Sequence, residues 1–289
     1  MTENALNTQQ AQQSQNKTVL VTGASGKTGR RVAEAAEAAG FTVRAASRSG
    51  AVRFDWYDPT TWEAALRGAD AAYLAYQPDV GAPGAGDAVG ALARQAVALG
   101  VRRIVLLSAR GEDQAEPAER AVRESGAQWT VVRASWFAQN FSEAPLLDGM
   151  RAGELVFPAG EVLEPFIDTR DIADVVVAVL GAADDRYAGQ VVEVSGGRLL
   201  SFRDAVAEIS AAAGREIRYV PVSAREYGGA LTEYGVPAEE AEFLIELFET
   251  NLDGRNARLS EGVQRILGRA PRDFADFARE HAELGIWKA

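Results

Sequence analysis

The sequence predicts an α/β fold: a doubly wound parallel sheet followed by a smaller, mostly helical C-terminal region that serves as substrate or cap region. Three observations predict it. A β-branched strand breaks into evenly spaced glycines before a helix. A phrase of helix, closing glycine and apolar strand recurs through the first half, and helical patterns crowd together once the strands are spent.

The first strand occupies 18–21, and the chain from there to Arg30 reads TVLVTGASGKTGR. Gly23 can take backbone angles closed to other residues, and Gly26 lets a ligand approach the main chain without a Cβ in the way. Gly29 lets the following helix, expected at 30–39, pack close to the strand. The free N–H groups and positive dipole end of that helix favour an anion. Gly23, Ser25, Gly26, Lys27, Thr28 and Gly29 are therefore expected to surround the pyrophosphate of a dinucleotide. Such a turn makes the sheet a Rossmann-type one.

Gly40 closes the first helix, and 41–47 form the second strand. Shorter strands at 52–54 and 71–75 flank a helical 61–67. Gly100 then ends a helix at 87–99 before a strand at 101–107, and Gly126 ends a helix at 117–124 before a strand at 128–132. A nucleotide-binding domain over 17–135 follows, its sheet completed within 165–195 by a strand at 190–194. Residues 136–164 and 196–289 are assigned to the smaller substrate or cap domain. There 136–149 is aromatic and irregular, 170–180 is an amphipathic helix belonging to the sheet half, and helices fall at 201–213, 223–234, 237–252 and 271–282 around a strand at 217–220. Ser201 and Asp204 form a capping pair, and Asp168 and Asp171 are read as caps at a helix start.

The 41 acidic and 30 basic residues leave a formal charge of -11, which argues against nucleic acid or an anionic membrane as a partner. Without cysteine, disulfides, thiolate catalysis and thiolate-bound metal are excluded, and no metal is expected. Residues 1–16 are polar and glutamine-rich, read as a disordered tail rather than a signal peptide, so a cytoplasmic location is expected. An anionic cofactor must then be held by local donors and a few cations. No carboxylate follows the second strand, which ends in Ser47-Arg48; Arg48, helped by Lys27, is expected to hold a ribose 2′-phosphate. NADP, as NADPH, is preferred and NAD is the second option. Asp55 and Trp56 follow the third strand, where Trp56 either flanks the adenine or packs beneath the sheet edge.

The glycine turn, the strand end VRAASR at 43–48, RIVLLS at 103–108 and ERAVRESG at 119–126 form an ordered set. It continues with WTVVR at 129–133, Trp136-Phe137, Asn140, DTRDIAD at 168–174 and LGRAPRDF at 267–274. In order and spacing the set resembles the NmrA-like branch of the atypical short-chain dehydrogenase/reductase family, and most of all its members similar to type 2 NAD(P)H:quinone oxidoreductases. The resemblance implies a nicotinamide-dependent reductase, or a sensor of the cofactor pool that passes its state to a protein partner. Two positions depart from it. Ala134 stands where members often carry proline, and Ala115 stands where close relatives carry a histidine, so no histidine role carries over; the single histidine is His281.

Carbonyl reduction in most short-chain dehydrogenases draws its proton from a tyrosine with a lysine four residues on. The lysines are Lys17, Lys27 and Lys288, and none follows a tyrosine at that spacing. The chain is therefore read as reducing a quinone, an enone or an iminium-type small molecule without that pair, with the non-catalytic sensor as the alternative. Tyr76 is the candidate proton donor or substrate-ring partner, and Trp136, Phe137, Asn140 and Tyr227 join it in the expected substrate pocket. Ser108 is placed on the cofactor at the end of the fifth strand, and Asn140 has a second reading as a fastener of its own loop.

Overall fold

The computed structural model describes residues 17–288, so the tail read at 1–16 lies outside the described residues. Strand β1 (Thr18–Thr22) is apolar on both faces because both are covered, and it breaks at the glycine turn into helix α1 (Lys27–Ala38). There follow β2 (Thr42–Ser47), β3 (Val52–Arg53), α2 (Trp62–Leu66), β4 (Ala71–Leu74) and α3 (Ala85–Ala98). Then come β5 (Arg103–Ala109), α4 (Glu116–Arg123) and β6 (Gln128–Ala134). All seven strands of the main sheet run parallel in the order β3-β2-β1-β4-β5-β6-β9, the last being Gln190–Val194.

Alternation along each strand divides the core in two. Leu20, Leu74, Ile104 and Leu106 meet α2, α3 and α4 on one face. Val19, Val21, Tyr73 and Val105 meet α1 and α6 (Thr169–Gly181) on the other. The chain reverses its direction of winding between β1 and β4, which opens a crevice at their carboxyl ends. Thr22 ties these two ends together: its Oγ1 donates to the Tyr73 carbonyl at 3.2 Å and accepts from the Ala75 amide at 2.9 Å.

A third core lies in the C-terminal region, where Phe141, Phe157, Phe166, Phe202 and Phe277 are buried together. The stretch read as irregular, 136–149, runs at its end into a short helix, α5 (Leu147–Ala152), before β7 (Glu154–Phe157) and β8 (Leu163–Glu164). β10 (Leu200–Ser201) pairs antiparallel with β8, and β11 (Arg218–Pro221) pairs parallel with β7. The first pairing escaped the sequence reading because two-residue strands carry no period, and the second because the 217–220 strand was read without its partner. The helices are α7 (Phe202–Ala213), α8 (Ala224–Glu233), α9 (Ala238–Asn251), α10 (Gly262–Leu267) and α11 (Phe274–Glu283). Ser201 and Asp204 form a reciprocal capping box at α7.

One expected cap is a tie instead. Asp168 does cap α6, accepting from the Arg170 amide at 2.8 Å. Asp171, fully buried, accepts from the Arg269 guanidinium and the Arg272 amide, each at 2.7 Å, and from the Arg272 guanidinium. Its side chain faces the 269–272 segment, and two arginines satisfy the buried charge that capping would have left half-paired. Among the described residues no helix is long and apolar enough to cross a membrane.

Candidate functional site

The glycine turn is compressed around one oxygen. Gly23 has φ +62°, and its carbonyl accepts the Gly26 amide at 2.8 Å. A Cβ on Gly29 would overlap that carbonyl, and one on Gly26 would stand 3.2 Å from it and 3.5 Å from Gln77 Nε2. Helix α1 leaves this turn with no side-chain cap and no acid in its first turn. Its first amides are thus unpaired by side chains, and its positive end is not neutralised from within.

A cavity of about 590 Å³ opens here, lined by Gly23, Ser25 and Gly26 from the turn and by Ser47, Arg48 and Ser49 after β2. Phe54 to Tyr57, Gln77 and Pro78 make its other walls, and Glu240 reaches it from α9. Arg48 has no ion pair and no hydrogen bond among the described residues. Asp55 is committed to its own turn, its Oδ1 accepting from the Tyr57 amide at 3.0 Å. Trp56 lines the cavity and is buried, with Nε1 donating to the Ala75 carbonyl at 3.0 Å. Tyr76 lies against Trp56, ring centroids 5.0 Å apart, and is buried rather than on the cavity lining. Burial, and then the neighbouring Tyr57 hydroxyl, push its phenol up to about 12, so it stays protonated near neutrality.

Lys27 does not assist Arg48. Its Nζ donates to Asn140 Oδ1 at 3.0 Å, and the residue does not line the cavity that holds Arg48. As the first residue of α1 it projects toward the turn after β6, so the expected help at a 2′-phosphate is withdrawn. Burial, with the like charges of Arg30 and Arg31, holds its ammonium below the usual lysine range, against the pull of Glu143. Arg30 and Arg31 donate to Glu143 at 2.6 and 2.7 Å, so α1 is tied to the 138–143 segment three times over. Asn140 is thus a fastener through its side chain as well as through its main chain. Thr28 is buried beside the turn.

Ser108 also departs from expectation. Its Oγ donates to Glu119 Oε1 at 2.6 Å, and the buried Glu119 is gripped by Arg133 at 2.7 and 2.6 Å. The hydroxyl faces α4 and is already committed, which withdraws Ser108 as a donor to a cofactor. Trp136 meets Phe157 and Phe202 edge-on at 5.6 and 5.4 Å, and Tyr227 meets Phe157 at 5.5 Å. Phe137 bridges to Ile167. The structure therefore brings Trp136 and Tyr227 into one aromatic cluster, Asn140 to Lys27, and Tyr76 to Trp56.

Sequence reading missed a buried polar seam between the β5 end and the C-terminal region. Glu164 has no exposure and neither carboxylate oxygen has a partner; burial pushes it up to about 8, partly opposed by Arg110. Burial and the adjacent Asp79 push Glu112 up to about 9. Arg110 donates to Glu193 at 3.1 Å and to the Arg258 carbonyl at 2.6 Å, and Asn256 donates to the Arg110 carbonyl at 3.0 Å. No spacing signals this seam, because its members come from separate segments. Glu240 was missed for the same reason.

The model of the NmrA-like family matches residues 15–274. An uncharacterized oxidoreductase, YesF, of Bacillus subtilis (strain 168) is 33% identical over 276 residues, covering 91% of this chain and 95% of that protein. An NAD(P)H azoreductase of Xenophilus azovorans is 30% identical over 288 residues, covering 91% and 98%. Among solved structures, the NADPH-dependent quinone oxidoreductase QOR2 of Escherichia coli, complexed with NADPH, superposes with TM-score 0.72 at 20% identity, covering 91% and 99%.

Proposed function

We propose, from the premise that the chain belongs to the NmrA-like family, that it is an NAD(P)H-dependent oxidoreductase reducing a quinone, enone or iminium-type small molecule without a Tyr-Lys pair. The observation that carries the reading is the cavity where the uncapped, acid-free start of α1 meets an uncommitted Arg48. The reductase names of the matched relatives support it. The residues present fit a pyridine dinucleotide. Amides at Lys27 to Gly29 would take the pyrophosphate, Arg48 a 2′-phosphate, and Trp56 one side of the adenine. The preference is for NADPH, with NADH accepted, in a cytoplasmic protein.

The nicotinamide, when bound, supplies hydride. The chain's part is to bind, orient and exclude water. The Lys27–Asn140 and Arg30/Arg31–Glu143 contacts hold the helix of the phosphate site against the segment beside Trp136. Trp136 and Tyr227 give the substrate an apolar, aromatic wall. Tyr76 packs against Trp56 and, like any phenol, keeps its proton near neutrality. A quinone or enone suits this arrangement, since its reduced anion is delocalised and takes its proton from water. Absorbance at 340 nm across a panel of quinones, enones and iminium ions tests the proposal; NADPH consumption with at least one class is expected.

The aromatic cluster favours a second reading as a sensor. Trp136, Phe157, Tyr227 and Phe248 cover one another's faces, as a closed binding protein without substrate would require. Tight coenzyme binding with no consumption across the whole panel would decide for it.

A further inference from the structure

The cavity shared by Arg48 and Glu240 carries one more inference, which rests on reading it as the adenosine site. Glu240 stands in the first turn of α9, a helix of the C-terminal region, yet it lines the same cavity as Gly26, Ser47 and Arg48. Its side chain too makes no ion pair or hydrogen bond among the described residues. An uncommitted cation and an uncommitted anion thus border one space without closing it as a salt bridge. The other acid on the lining, Asp55, is occupied by the Tyr57 amide. The Ser47-Arg48-Ser49 turn itself offers a ribose no carboxylate.

We propose that Glu240 supplies that carboxylate from the cap, accepting hydrogen bonds from the adenosine ribose hydroxyls and setting the choice between the two coenzymes. An ionised carboxylate is an acceptor only, with two oxygens matched to the two donors of a vicinal diol. A 2′-phosphate removes one of those donors and adds a charge of about -1.5 to -2 beside it. Glu240 therefore favours NADH and opposes NADPH, while Arg48 does the reverse. Coenzyme preference is set by the balance of two residues far apart in sequence, not by the strand end alone. Because Glu240 belongs to the cap, gripping the ribose also fixes α9 over the nucleotide-binding half.

Titration calorimetry with NADPH and NADH tests this on the full chain, its Glu240→Gln and Arg48→Ala variants, and Glu239→Gln as a control outside the cavity. Glu240 is exposed, so the isosteric change leaves packing untouched. Glu240→Gln should tighten NADPH and weaken NADH, moving their affinity ratio by about 3- to 10-fold, a screened interaction at a cavity mouth. Arg48→Ala should move the ratio the opposite way, and Glu239→Gln should leave it in place. Parallel changes for both coenzymes in Glu240→Gln, or an equal shift in Glu239→Gln, would overturn the role of Glu240. Normal binding with an unmoved ratio overturns it as well while leaving the cavity assignment intact. Failure of the unaltered protein to bind either coenzyme removes the assignment and the inference together.

Discussion

Arg48 and Glu240 border an open cavity without partners, whereas Arg110, Glu112 and Glu164 lie beneath the C-terminal region as buried as the aliphatic residues around them. At the first place water keeps both charges inexpensive until a ligand arrives. At the second, desolvation decides the charge state, and two carboxyls hold protons that exposed glutamates release. An exposed charge without a partner is thus free to meet a ligand, whereas a buried one is governed by desolvation.

The sharpest way to break the comparison is to deform the turn that makes the open end. Gly29→Val would drive a side chain into the Gly23 carbonyl. It should cost about 3 kcal/mol or more in urea unfolding and abolish coenzyme binding by calorimetry. Unchanged affinity would mean that the turn is not the phosphate site.

The closed end is tested by pH. Glu164 has a folded-state value of about 8 against an ordinary 4.5, so the folded chain keeps a proton that the unfolded chain gives up. The contribution of Glu164 to stability is therefore full below pH about 4.5 and is lost as pH rises to about 8, by at most ~1.4 kcal/mol per unit. Glu164→Gln should flatten that decline in unfolding curves taken at pH about 5.5 and about 8. A variant with the same slope as the unaltered chain would return Glu164 to the ordinary carboxylates.

Smaller effects sharpen the boundary between the two ends. Arg48→Ala should weaken NADPH by ~10- to 100-fold and NADH far less, the loss of a charge-assisted bond; equal losses would retire the 2′-phosphate assignment. Asn140→Leu removes the partner of Lys27 and should lower turnover by ~2- to 5-fold with little change in NADPH affinity. A larger loss of affinity than of turnover would place Lys27 on the phosphates after all.

β1, β4, β5, β6 and the edge strand Gln190–Val194 were legible because each is a short, largely apolar run bounded by a glycine or a turn. The glycine turn was legible too, since its tightest contacts, around the Gly23 carbonyl, fall within seven residues. Asp171 was not, because position three residues past a helix start fits a cap as well as a buried tie, and only Arg269 and Arg272, about a hundred residues on, decide between them. Ser108 was not, because its strand-end position is compatible with either face, and Glu119 claims its hydroxyl.

The chain alone yielded the sheet, its parallel sense, the glycine turn with Arg48 beyond it, and the lack of a lysine four residues after any tyrosine. These rest on periodicity, backbone freedom and residue spacing, all local along the chain. Only the tertiary structure decided that Lys27 turns to Asn140, that Glu240 arrives at the cavity from α9, and that Glu164 is sealed in with its proton. The physical reason is that charge state and hydrogen-bond partner depend on what stands within a few ångströms in space, and those neighbours come from segments whose separation leaves no period to read.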